Sequence, residues 1–194
     1  LGKWQECFDI SKEALEAFGS FHYSNDVWFL RRVALSKKNL GNTEDTITEL
    51  EAILRRKNEW FIQKELAELY FENKDFDRAF ELSIAAINNF GPLEFKIDLL
   101  YLMGKIYQEK DDASLALKHF TLSKKIRQSE GWKIPQKLVD ELKKHDAAEE
   151  QEINIENLEL ELKKYWESLT PKRDKPSKSK QLQGTILKLL HNNE

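Results

Sequence analysis

The chain has one cysteine, Cys7, and one methionine, Met103, in 194 residues. A lone thiol excludes an internal disulfide and a multi-cysteine metal site, and it points to a reducing compartment. Glycine and proline are scarce, at seven and four, and three of the prolines lie beyond residue 130. The first two-thirds therefore lacks the punctuation that a chain of short strands needs. No apolar run approaches the roughly 18–20 residues that cross a bilayer, and no signal-peptide pattern opens the sequence. Charge of one sign is missing as well. A net charge of −3 gives no dominant field for nucleic acid or membrane. Phosphate-binding loops, dinucleotide glycines and nucleophile-elbow motifs are absent. The histidines, His22, His119, His145 and His191, are scattered without metal-ligand spacing. The expectation is a cytoplasmic, non-catalytic protein with no cofactor, no metal, no membrane segment and no small-molecule substrate.

What is present is helical periodicity. Hydrophobic residues make up 40% and charged residues 34%, the balance of helices with one apolar face each. Three stretches share one design, an apolar-periodic helix, a short polar turn and a second helix. The turns fall at residues 40–45, 72–78 and 109–114, and a short residue follows each: Thr46, Ala79 and Ala116. Two helices can approach to about 8–10 Å only where the crossing side chain is small. The inner faces read Leu30, Val33 and Ala34 with Thr46, Leu50 and Ile53; then Leu66, Ala67 and Tyr70 with Ala79, Ser83 and Ala86. The third unit reads Leu100, Met103, Gly104 and Tyr107 with Ala116, Phe120 and Ser123. The small residues recur after 33 and then 37 positions, a period that marks stacked helical hairpins.

These motifs resemble the tetratricopeptide (TPR) family, whose pattern is W-x2-L-G-x2-Y, a turn, then A-x3-F-x2-A. The third unit matches best, through Leu100-x2-Met103-Gly104-x2-Tyr107 and Ala116-x3-Phe120-x2-Ser123. The second has Ser83 where the pattern has an aromatic, and the first has Lys37 where it has Tyr. The resemblance covers roughly residues 26–129 and implies an all-α superhelical array of antiparallel hairpins. Repeats are expected at about 26–57, 58–90 and 93–129. Residues 3–19 read as a half repeat whose partner helix precedes Leu1, so the chain is expected to be a piece of a longer protein. Trp4, Phe18, Tyr70, Phe80, Phe120 and Tyr107 are expected in the core.

Residues 1–145 thus form the array. Residues 146–169 read as one long amphipathic helix that caps its end or pairs with another helix, with Ile155, Leu158, Leu162, Tyr165 and Leu169 at alternating spacings of three and four. Residues 170–181 carry two prolines and five basic side chains, the composition of a linker. Residues 182–194 open with Gly184-Thr185-Ile186-Leu187-Lys188, which resembles the first strand of a cold-shock or OB-fold domain. That domain would be truncated at residue 194.

In the TPR family the first helix of each hairpin lines a concave groove. At the matching positions stand Trp28, Arg31 and Lys38; Phe61, Lys64, Glu68 and Phe71; and Tyr101, Lys105 and Gln108. Aromatic anchors among cations suit peptide recognition. Packing of Trp28 and Phe61 against the neighbouring hairpin is the other reading of the same pattern. A carboxylate clamp is not expected, because Leu35 and Glu68 stand where clamp asparagines belong. The expected function is a protein–protein interaction scaffold that takes a protein or peptide. The alternative is the adaptor part of a nucleic-acid-binding protein, touching nucleic acid through the basic linker or an adjoining OB-like domain.

Overall fold

A computed structural model describes residues 2–42, 44–145 and 154–170. Nine helices run through them: α1 (Trp4–Ala17), α2 (Asp26–Asn39), α3 (Glu44–Arg56), α4 (Trp60–Glu72), α5 (Phe76–Asn88), α6 (Ile97–Glu109), α7 (Ala113–Ser129), α8 (Gln136–Lys144) and α9 (Ile155–Leu169). No strand occurs among the described residues. From α1 to α8 each helix packs against the next, so α2, α4, α6 and α8 form a row of first helices and α3, α5 and α7 a row of second helices.

One local device ends four of these helices. Gly41, Lys74, Asp111 and Gly131 all sit at positive φ directly after a helix end. The next amide then reaches back five residues: Asn42 to Lys37 O, Asp75 to Tyr70 O, Asp112 to Tyr107 O and Trp132 to Arg127 O, at 2.8–3.0 Å. This Schellman closure satisfies carbonyls that the helix leaves open. In two turns the same residue then starts the following helix. Asp75 accepts from the Arg78 amide at 3.1 Å and Asp112 from the Leu115 amide at 2.9 Å. An N-cap of this kind contributes about 1 kcal/mol. Stop and start are thus packed into three residues, which brings the two helices of a hairpin together.

The crossings are built from the small residues read in the sequence. Ala34, Thr46, Ala67, Ala79, Gly104 and Ala116 are all buried, and Gly104 faces the Phe120 ring. Ser123 Oγ donates to Ile97 O at 3.0 Å and Thr46 Oγ1 to Asn42 O at 3.0 Å, so these buried hydroxyls are paired with backbone. Two apolar clusters result, one spanning α2–α4 and a larger one spanning α4–α9, and Tyr70 and Leu82 pack against both.

Three expectations are corrected. Trp4 and Phe18 are not core: they are 38% and 60% exposed. Among the described residues α1 has a packed neighbour on one side only, α2, whereas α3, α5 and α7 each lie between two first helices. The long helix is shorter than expected. Asn154 is extended and accepts from the Asn157 amide at 3.0 Å, so α9 starts at Ile155. Nor does it cap the end of the array. The place after α7 is taken by α8, while α9 lies across α5 and α7. The expectations for residues 146–153 and 171–194, including the basic linker and the OB-like strand, lie outside the described residues.

Candidate partner-binding groove

The ten groove positions divide by what they touch. Trp28 stacks on Phe61 at 5.1 Å, with the Lys57 ammonium 5.0 Å over its indole. Arg31 Nε donates to Glu65 Oε2 at 2.9 Å, its Nη2 pairs with the other carboxylate oxygen, and its guanidinium lies 5.1 Å over Phe61. Lys38 pairs with Glu72 at 2.8 Å, and Lys64 with Glu68 at 2.7 Å. Further along, Lys105 and Gln108 both bond Glu141 of α8, at 3.0 and 2.9 Å. The aromatic pair therefore packs hairpin on hairpin, as one of the two sequence readings had it. The cations largely join one first helix to the next.

This ladder is periodic. Arg31–Glu65 and Lys38–Glu72 are each separated by 34 residues. Lys105–Glu141 spans 36, close to one repeat. Burial raises the Glu65 carboxyl above its ordinary value, against the lowering effect of Arg31. Burial acts the same way on Glu141, but bonds from Gln108, Lys105 and Lys144 outweigh it and hold that carboxyl down at about 2. Opposite charges one period apart are a signal present in the sequence, and neither Glu65 nor Glu141 was picked out from it.

Four of the ten positions, Glu68, Phe71, Tyr101 and Lys105, come together in one cleft of about 340 Å³ between α4, α6 and α8. Glu72, Asp98, Leu102 and Lys137 complete its wall. Trp28, Arg31, Lys38, Phe61, Lys64 and Gln108 do not line it. Phe71, Leu102 and Tyr101 are its apolar surfaces. Tyr101 is held by the Phe120 ring at 5.6 Å on one side and the Lys137 ammonium at 4.5 Å on the other. Burial, with Glu141 and Asp140 adding, raises the phenol above its ordinary value, so it stays a neutral hydroxyl. The charged groups of the cleft are mostly committed: Lys105 to Glu141, Glu72 to Lys38, Glu68 to Lys64, and Asp98 to Arg127 at 2.7 Å. Among the described residues Lys137 has no carboxylate within ion-pair distance.

Sequence reasoning passed over Asp98, Glu72, Leu102 and Lys137. Asp98 stands in α6 where Phe61 stands in α4, so extending the register would have found it. Lys137 lies beyond residue 129, where the expected repeats stop, so no groove position extended to it.

No group of three or more His, Cys, Asp or Glu side chains among the described residues is placed to hold a metal ion. No helix among them is long and apolar enough to cross a membrane.

No family model and no curated protein matches the sequence. Among solved structures, the crystal structure of MamA, a TPR-like helical protein, superposes with a TM-score of 0.51 at 16% identity. The match covers 84% of this chain and 93% of that one. At this identity the likeness speaks for the fold, and the fold is that of a TPR-like α-solenoid.

Proposed function

We propose that the chain is a non-catalytic scaffold whose row of first helices binds an extended segment of a protein partner in the cleft between α4, α6 and α8. The observation that carries this reading is the cleft itself. It has apolar walls from Phe71, Leu102 and Tyr101, charges of both signs at its rim, and one cation, Lys137, with no carboxylate partner among the described residues. An aromatic flanked by a cation and set in a depression is a surface where a few residues supply most of the binding free energy. The remaining groove cations are weaker candidates, because Arg31, Lys64 and Lys105 already hold carboxylates within the array. Removing them would loosen the helix row as well as any contact to a partner.

The test uses the full chain as bait for a displayed library of random linear peptides. Selected peptides should carry an apolar side chain near an acidic group. Tyr101→Ala and Lys137→Glu should each weaken their binding about tenfold, the loss of roughly 1.4 kcal/mol expected at a hot spot. Lys133→Glu, in the exposed loop before α8, should leave it unchanged. Binding that is indifferent to both cleft variants would remove the cleft as the site.

A further inference from the structure

Among the described residues α9 lies across α5 and α7 rather than following α8 in sequence order, and a buried polar pair fastens it. Leu158, Leu162 and Trp166 form its buried stripe, in one cluster with Ile84 and Ile87 of α5 and Leu122 and Ile126 of α7. Within that apolar contact Trp166 Nε1–H donates to His119 Nε2 at 2.9 Å. An indole nitrogen can only donate, so Nε2 must be the bare nitrogen of a neutral imidazole. The proton sits on Nδ1, which donates to Leu115 O at 2.7 Å. Both ring nitrogens are therefore used, and the side chain is fully buried.

A second proton on His119 has no place in this geometry. It would point Nε2–H at the Trp166 N–H, losing one hydrogen bond and leaving a charge in an apolar seam. The surroundings do not compensate. Asp112, capping α7, favours the charged ring, and Lys118 within α7 opposes it. From α6 the Tyr107 ring packs at 4.9 Å, with the Tyr165 ring of α9 6.3 Å beyond it. Glu161 of α9 is spent on Lys118 at 2.5 Å. α5 meets α9 through the neutral Asn88, which donates to Trp166 O at 2.9 Å. Burial accordingly pushes the imidazole down to about 4. A cavity of about 490 Å³ runs along the same edge of α9, lined in part by Ile87, Ile126, Ile155 and Trp166.

We propose that α9 is an acid-releasable cover over an apolar seam between α5 and α7, with His119 as the group that senses the proton and Trp166 as the group that reports it to the helix. Above the ordinary histidine range the cover is fully held. As pH falls from about 6.5 towards 4 the undocked state takes up a proton that the docked state refuses, so docking weakens. Release uncovers the apolar residues of α5 and α7 that α9 covers, on a face formed by second helices rather than by the first-helix cleft.

Hydrogen exchange of the full 194-residue chain tests this, because it reads α9 separately from α4 and α6. The opening equilibrium of α9 should rise about twentyfold between pH 7 and pH 5, one proton's worth of linkage, while α6 keeps its protection. His119→Gln should abolish that rise, since an amide can accept from Trp166 and donate to Leu115 without titrating. A nuclear magnetic resonance titration of His119 in the unmodified chain serves if the variant does not fold. Its ring should be neutral with the proton on Nδ1 at pH 7, and its titration should track α9 exchange. The proposal is overturned if α9 and α6 lose protection together, if His119→Gln keeps the same pH dependence, or if His119 titrates at its ordinary value with α9 unmoved.

Discussion

Gly104 offers the sharpest test of how sequence sets the packing, because two large effects oppose each other there. Replacing a mid-helix glycine by alanine should stabilise α6 by about 1 kcal/mol through backbone propensity alone. A methyl group at this position would lie 2.6 Å from Phe120 Cδ1 and 2.8 Å from Cζ. Ordinary carbon contacts are about 3.5–4.0 Å, so the ring would have to retreat by roughly 1 Å. It has nowhere to go: Phe120 is fully buried, with the rings of Tyr101 at 5.6 Å and His145 at 6.1 Å around it. Overpacking of a closed core costs about 1–3 kcal/mol. Contacts this short belong to the upper part of that range, about 2–3 kcal/mol, so the helix gain offsets only part of it and Gly104→Ala should destabilise the chain by about 1–2 kcal/mol. Urea unfolding followed by circular dichroism measures it as a lowered midpoint at unchanged slope. Phe120→Leu should be costly alone yet should recover stability in the Gly104→Ala background, a coupling of at least about 1 kcal/mol. The other hairpins explain why. Where the partner at the crossing is Ser83 or Leu50, the first helix carries Ala67 or Ala34; only opposite Phe120 does it carry glycine. If Gly104→Ala were as stable as the wild type or more so, the close approach of α6 and α7 through that ring would be refuted.

Other outcomes follow from the same geometry. Asp111 holds a left-handed backbone at φ 58°, a conformation glycine adopts freely, so Asp111→Gly should stabilise the chain by up to about 1 kcal/mol in the same urea assay. Glu141, held at about 2 by Gln108, Lys105 and Lys144, contributes stability that is complete above its ordinary value of 4.5 and fades as pH falls towards 2. Glu141→Gln should remove about 2–3 kcal/mol at pH 7 and flatten that acid limb in pH-dependent unfolding. Lys96 is 2% exposed, bonds the backbone carbonyls of Ile87 and Asn89, and burial pushes its amine down to about 8. The folded state disfavours the charged amine, so wild-type stability should rise relative to Lys96→Met between pH 8 and 10.5, by about 3 kcal/mol if the full shift is expressed. A difference that stays constant across that range would show the amine titrating as it does in water.

The hairpins were legible in the sequence because their causes are local. A small residue at a fixed offset from a polar turn says where two helices cross, and Ala79, Ala116 and Gly104 said so. The position of α9 was not legible. Its stripe of Leu158, Leu162 and Trp166 shows that one face is buried, but nothing in a periodic pattern names the receiving surface. The His119–Trp166 bond spans 47 residues and has no spacing rule to betray it. Trp4 and Phe18 were misread for a related reason: a helical stripe marks a face able to pack, and among the described residues α1, with Phe18 at its end, packs on one side only. The groove stood between these cases. Its positions came from the register, but the carboxylates that occupy Arg31 and Lys105 lie one repeat away, where only charge matched across periods would have found them.

Shift mapping by nuclear magnetic resonance with a selected peptide tests the binding reading most directly. Titrating the peptide into the isotope-labelled full chain should move the signals of Phe71, Tyr101, Leu102, Lys105 and Lys137 together and saturably, and leave the outer faces of α3 and α5 still. Shifts concentrated on the second helices, or on the loops joining one hairpin to the next, would contradict a partner site in the cleft between α4, α6 and α8.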